Sequence, residues 1–298
     1  RLLERREDYR IGSVPAGGLL LTGGADVQKD RIEVSVWAFG RGKAAWLVEH
    51  RILMGDTART EVWSALAKLM GETWTHSSGC QLSLARIALD TGYATQEAYA
   101  FVRSVRDIRL MPIKGIGGGA ALIGTPTAVD ATASGKKLRR GIKVFPVAGG
   151  IAKLEFYNNL RKSAEVAEDG VTPIYPAGFV HLPKVDAEYL QQLCAEQLIT
   201  RRDRNGFAHR EWQKMRERNE ALDCYVYARA AAAAAGLDRF EDRHWHELEK
   251  QLGAGPPAAA VPTDTPEATR EQQFDGGLVT SGGTKPKPRR VVRSRWMT

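Results

Sequence analysis

A mixed α/β sheet flanked by helices is the fold class that this chain of 298 residues predicts. Three observations lead there. Residues 19–52 hold three β-type apolar runs, separated by Gln28-Lys29-Asp30 and Gly40-Arg41-Gly42-Lys43; beyond them strand-like runs alternate with helical patterns. The chain, with 43% hydrophobic residues, is also long enough to bury a proper core. A meander followed by alternating strands and helices describes a sheet that begins antiparallel and continues through helical crossovers. Periodicity alone does not fix the strand order.

Residues 1–16 are polar and lead into Val14-Pro15-Ala16-Gly17-Gly18, which reads as a connector. Residues 19–21, 32–39 and 44–52 read as three antiparallel strands, because apolar and polar residues alternate or form short β-rich runs. Residues 59–70 place Val62, Leu66 and Leu69 on one helical face. Residues 84–89 form a fourth strand that ends at Asp90, 96–106 a helix and 109–113 a fifth strand. The stretch 115–141, rich in Gly, Thr, Ala and Lys, reads as a long loop; 142–147 follows as a strand and 151–160 as a helix. Asn205-Gly206 between two β-compatible arms signals a hairpin, since both residues tolerate positive φ. From about 218 to 235 the alanine-rich run is a helix, ended by Gly236.

The formal charge is +8 and the pI about 9.4, which favours a polyanionic partner. Cys80, Cys194 and Cys224 are widely separated, which argues against a disulfide framework or zinc site and fits a reducing compartment. No apolar run is long enough for a membrane span, and RLLERREDYR has no signal-peptide character. Gly115-Ile116-Gly117-Gly118-Gly119-Ala120 fits a dinucleotide fingerprint but opens no helix, so a loop over a substrate is the better reading. His244-Trp245-His246 reads as solvated. After residue 253 the Pro- and Ala-rich sequence cannot bury a core and should be flexible, ending in a basic segment with Trp296.

Three acids carry the chemistry. Asp26 and Asp90 close β-type runs, and Asp223 sits on the strong helix with Glu220 three residues before it on the same face. From the residues alone, Asp26 could serve a turn, Asp90 could cap a helix and Asp223 could be a solvated acid. Alternatively, three distant segments bring carboxylates to one edge of a sheet. Hard divalent cations take oxygen ligands, and two of them roughly 3.5–4 Å apart stabilise the attacking and leaving oxygens of a phosphodiester.

The segments LTGGADVQKDRIEVSVWAFG, AWLVEHRILMGD, RIALDTG, RLMPIKG, AKLEFYNNL, GFVHLP and RNEALDCYVYA, in that order over residues 17–235, resemble the nuclease domain of lambda-type (GpA-like) phage terminase large subunits. The resemblance implies an RNase H-like fold over residues 17–240, with residues 1–16 as connector from a missing ATPase domain and 241–298 as tail. It implies a metal-dependent endonuclease that cuts concatemeric double-stranded DNA with two divalent cations, Mg or Mn. Asp26, Asp90 and Asp223 would be the ligands, with Glu220 a candidate outer ligand or water-orienting base. By their charge and position, Lys114, Lys153 and the hairpin residues Arg201, Arg202, Arg204 and Arg210 are candidate DNA contacts, with solvated side chains as the alternative, and no ATPase activity is expected because no GxxxxGK[ST] string occurs. The implied partners are double-stranded DNA, the terminase small subunit and the portal or procapsid through the tail, in the cytoplasm of the infected bacterial host. One departure stands out: the acid that family members often carry just before AK is absent from Val147-Ala148-Gly149-Gly150-Ile151-Ala152-Lys153. That absence keeps a catalytically silent DNA-binding or portal-docking module as an alternative, beside another RNase H-like nuclease of resolvase or transposase type.

Overall fold

The computed structural model describes residues 2–129 and 141–253, and the backbone of Val291–Val292. The central sheet is built from β1 (Leu20–Val27), β2 (Arg31–Phe39), β3 (Ala45–Met54), β4 (Arg86–Asp90), β5 (Leu110–Ile116), β6 (Lys143–Ala148) and the short β7 (Val180–His181). Their order is β7-β3-β2-β1-β4-β5-β6, with Thr127–Ala128 added antiparallel beyond β6. Among these seven, only β2 runs against the rest. The core order 3-2-1-4-5 with an antiparallel second strand is the RNase H-like arrangement.

Helices α1 (Thr60–Met70), α2 (Thr95–Val105), α3 (Gly149–Leu160), α4 (Ala187–Leu193), α5 (Glu220–Ala234) and α6 (Asp242–Leu252) flank the sheet. Helix α1 buries Val62, Leu66 and Leu69, as their spacing predicts. All eight residues of β1 are buried, so the central strand lacks the alternation of a half-exposed one. Thr22, Gly24 and Asp26 share one face of it, and α5 lies on that face. Thr22 Oγ1 donates to the Ala228 carbonyl at 2.8 Å, and a Cβ built on Gly24 would fall 2.0 Å from the Cys224 carbonyl oxygen. Small residues on both sides, Ala88 in β4 and the alanines of α5, let helix and sheet approach closely.

Several elements differ from the sequence reading. Residues 2–16 pack onto the body rather than acting only as a connector: Tyr9 Oη donates to the Leu47 carbonyl at 2.9 Å, and Ser13–Val14 pairs with Thr73–His76. The latter forms, with Gln81–Ser83, a small second sheet that the sequence did not suggest. Helix α4 is short, capped by the Asp186 carboxylate, and too brief for a periodic signal. Helix α6 buries Trp245, Leu248 and Leu252, so the packed body runs twelve residues past the expected boundary at 240. His244 Nδ1 accepts from the Glu241 amide, and His246 Nδ1 lies 2.9 Å from the Asp242 carbonyl; both serve the start of that helix. The reading of 254–298 as a flexible tail lies outside the described residues, apart from the backbone pairing of Val291–Val292 with Gln81–Leu82. Residues 130–140 of the expected loop lie outside them too.

The hairpin consists of β8 (Glu196–Arg202) and β9 (Ala208–Lys214). Its connection spans residues 203–207 and is not a two-residue turn. The Asp203 carboxylate accepts from the amides of Asn205 and Phe207, and of the Asn205-Gly206 pair only Gly206 takes a positive φ. Asp203 thereby satisfies the loop amides that a tighter turn would have paired across the strands.

Candidate active site

Asp26 and Asp90 stand side by side at the C-terminal ends of β1 and β4. Ala25 lies opposite Leu89 in the parallel register, so the next residue on each strand is an acid on the same face of the sheet. Helix α5, drawn down by Gly24, carries Asp223 in its first turn over that edge. Three sequence-distant acids therefore face one region. Burial and then the charge of Asp223 push the Asp26 carboxyl well above the usual range; Gln28 opposes this, while Asp90 and Glu220 add to it. Burial also raises Asp90, against the amides of Gly92 and Thr91 and the charge of Lys114. Burial pushes Asp223 up to about 6, with Lys153 opposing and Glu196 adding.

Each carboxylate is held by its own neighbours. Gln28 Nε2 donates to Asp26 Oδ2 at 2.6 Å, and the Gly92 amide to Asp90 Oδ1 at 3.1 Å. Asn219 Nδ2 donates to Asp223 Oδ2 at 2.9 Å, and Lys153 Nζ lies 3.5 Å from Asp223 Oδ1. Among the described residues, no three His, Cys, Asp or Glu side chains stand close enough together to hold a metal ion in this arrangement. Asp90 does not cap α2, whose N-cap is Ala94. The donor set nevertheless suits a hard divalent cation: three carboxylates, mutually repelling and largely buried, with no thiolate or imidazole among them.

Glu220 sits elsewhere. Its carboxylate pairs with Arg31 at 2.9 Å and with Arg218 at 3.4 Å, in a network centred on Glu33. Glu33, directly opposite Asp26 on β2, is fully buried and pairs with Arg31 at 2.7 Å and Arg218 at 2.6 Å; His50 Nε2 is 3.3 Å from its other oxygen. Burial alone would raise the Glu33 carboxyl, but His50, Arg31 and Arg218 together hold it down at about 2. This network pins the start of α5 against β2 and so sets the position of Asp223. A signal for it existed in the sequence: in RIEVSVWAF, Glu33 shares a strand face with Ser35 and Trp37, where a lone acid must find cations.

The expected DNA contacts fall into two groups. Lys114 is exposed on β5 beside Asp90. Arg201, Arg202, Arg204 and Arg210 are exposed on the hairpin, with Arg201 paired to Glu211 at 2.7 Å and Arg202 donating to the Gly206 carbonyl at 3.2 Å. Lys153 is largely withdrawn from solvent, with its ammonium 2.6 Å from Glu196 at the base of β8. In the segment that lacks the expected acid, a Cβ on Gly150 would meet Trp212 Nε1 at 3.1 Å, and Trp212 stacks on Tyr157. The hairpin thus covers the place where that acid would stand.

An RNase H-like sheet with two acids at the ends of its central strands and a third on the helix that crosses them is the framework of a nuclease domain. The family model for the terminase large subunit gpA endonuclease domain matches residues 1–245, and the chain belongs to that family. It is 32% identical over 236 residues to the terminase large subunit of Escherichia phage lambda, covering 77% of this chain and 34% of that protein. To the terminase large subunit of Enterobacteria phage P21 it is 29% identical over 222 residues, covering 74% and 33% respectively. The chain spans about a third of the length of the curated relatives it matches. The large terminase nuclease of thermophilic phage G20c, solved with bound magnesium, aligns at 15% identity over 75% of this chain and 84% of that one, with a TM-score of 0.35.

Proposed function

We propose that this domain is a metal-dependent endonuclease that cuts concatemeric double-stranded viral DNA, with Asp26, Asp90 and Asp223 holding two divalent cations, Mg²⁺ or Mn²⁺. The observation that carries the reading is the placement of buried Asp26 and partly buried Asp90 and Asp223 at the ends of β1 and β4 and the start of α5, with all three carboxyls raised by desolvation. When bound, the cations would lower the pKa of a water to near neutral and stabilise the leaving oxygen. The chain's own residues supply the rest: Gln28 orients Asp26, the Gly92 amide orients Asp90, and the Glu33 network fixes the start of α5. Glu220, committed to Arg31 and Arg218, fits a positioning part better than that of a ligand or base. The absent acid before Lys153 favours one second reading, a silent DNA-binding or docking module. Family membership removes the ground for a resolvase or transposase. Plasmid cleavage with Mn²⁺ or Mg²⁺ decides between the two, since a silent module would leave the plasmid supercoiled at every metal concentration.

Because Asp223 is held near about 6, protons should compete with the metal in mildly acid solution. Mn²⁺ affinity, read by electron paramagnetic resonance, is expected to fall as pH drops through about 6, on the order of tenfold per pH unit for one displaced proton. An affinity flat from pH 7.5 to 5 would remove Asp223 from the ligand set.

DNA binding is proposed to be electrostatic, through Lys114 and the hairpin arginines. Replacing Arg201, Arg202 and Arg204 together with alanine should lower the slope of log affinity against log salt by roughly two to three, since each neutralised phosphate contributes about 0.9. An unchanged slope in filter binding would turn the hairpin away from DNA.

The terminase small subunit and the portal or procapsid are the proposed partners, and the cytoplasm of the infected bacterium the proposed location. Among the described residues no helix is long and apolar enough to cross a membrane. Truncation after Gly253, the C-cap of α6, should leave plasmid cleavage within a few-fold of the full chain while abolishing portal binding. Lost cleavage would place part of 254–298 in the active site, and retained portal binding would assign docking to another surface.

A further inference from the structure

We propose that Lys153 acts as a built-in counter-cation for the Asp223 carboxylate before a divalent metal arrives, and that Glu196, already its nearer partner, retains Lys153 when the metal takes its place. The inference rests on the reading of Asp223 as a metal ligand.

Four side chains from three separate elements meet here. Lys153 Nζ on α3 lies 2.6 Å from Glu196 Oε1 and 3.5 Å from Asp223 Oδ1. Asn219 Nδ2, at the N-cap of α5, donates to the same Glu196 oxygen and to Asp223 Oδ2, both at 2.9 Å. One oxygen of Asp223 thus accepts from Asn219 and the other is ion-paired with Lys153. The Lys153 and Glu196 side chains are only 14% and 7% exposed, so neither can turn to bulk water for compensation. A buried lysine released from one carboxylate needs another within reach. Glu196 provides it at the shorter distance. Asn219 can likewise keep its bond to Glu196 when Asp223 turns away.

Glu196 also opens strand β8, and its backbone amide donates to Tyr157 Oη at 3.3 Å; Tyr157 in turn stacks on Trp212 of β9. The ion pair thus joins the base of the basic hairpin to the acid that leaves it on metal loading. In this chain, where no acid precedes Lys153 on α3, Glu196 supplies the carboxylate that the lysine needs.

The test compares Mn²⁺ affinity, measured by electron paramagnetic resonance without DNA, in the wild type, Glu196→Gln and the double variant Lys153→Met/Glu196→Gln. The double variant leaves net charge unchanged, so a general electrostatic effect would not alter its affinity. Release of Asp223 from a competing ammonium should tighten Mn²⁺ binding at least about fivefold. Glu196→Gln leaves Lys153 with Asp223 alone and should weaken binding by a similar factor. Unchanged or weaker binding in a folded double variant overturns the proposal. If the double variant does not fold, unchanged affinity in Glu196→Gln at a wild-type melting temperature overturns it instead. A wild-type protein that binds no Mn²⁺ would overturn the metal-site reading itself, an outcome distinct from either of these.

Discussion

Asp26→Asn is expected to reduce metal-dependent plasmid cleavage by more than about a hundredfold, while the melting temperature of the metal-free protein stays level or rises. Loss of groups that merely orient a metal ligand costs about 10–100-fold, and removal of a ligand should exceed that. The stability effect has the opposite sign for an electrostatic reason. The folded carboxyl of Asp26 is raised above its ordinary value, so its contribution to stability is present in acid and lost as pH rises through that folded value. At neutral pH keeping this carboxyl buried beside Asp223 and Asp90 therefore opposes folding, through the cost of desolvating its charged form. Asparagine removes the ionisable group at nearly constant shape and keeps an oxygen for Gln28 Nε2. Gel assays of plasmid nicking and thermal melts in EDTA check the two halves. Full cleavage would remove Asp26 from the site, and a melting temperature several degrees lower would make it a structural residue.

How far the site was legible in the sequence follows from what each residue needs. The places of Asp26, Asp90 and Asp223 at the ends of patterned elements were visible, but local pattern left turn, cap and solvated roles open for them, and only the family resemblance set them apart as candidate ligands. The meander, α1 and the long α5 were visible from their own strong local patterns. Glu33 was passed over although its strand face marked it, because a single acid within a β-rich run also suits a solvated face. The Lys153–Glu196–Asn219 cluster left no signal: its members are separated by 43 and 23 residues and meet only when the hairpin base packs against α3 and α5. Thr73–His76 and Gln81–Ser83 are too short for a period to register. Helix α6 was misjudged because its charged residues outnumber its apolar ones; only Trp245, Leu248 and Leu252 reach the core, and Arg41 holds the outer face through Asp242 and Glu249.

Gly24→Ala should damage both stability and cleavage, because the geometry of the site depends on how closely α5 approaches β1. The added methyl would lie 2.0 Å from the Cys224 carbonyl oxygen and 2.6 Å from the Ala228 amide nitrogen, and both are backbone atoms of a helix that cannot rotate aside. Helix α5 would have to rise by more than an ångström to restore ordinary contact. Overpacking of this kind costs about 1–3 kcal/mol. The site would suffer further, since Asp223 immediately precedes Cys224 and would move with it, and a misplacement of about 1 Å can cost roughly 10²-fold in rate. Gly23→Ala is the matched control. Its Cβ would point to the opposite face of the strand, where its nearest neighbours are side-chain atoms of Ile87 at 3.1 Å and beyond, a far milder contact than the backbone clash at Gly24. Gly23→Ala should therefore lose little stability and retain cleavage within a few-fold, while Gly24→Ala loses both. Equal behaviour of the two variants in thermal melts and Mn²⁺-dependent cleavage would show that close approach of α5 at Gly24 does not set the position of the third acid.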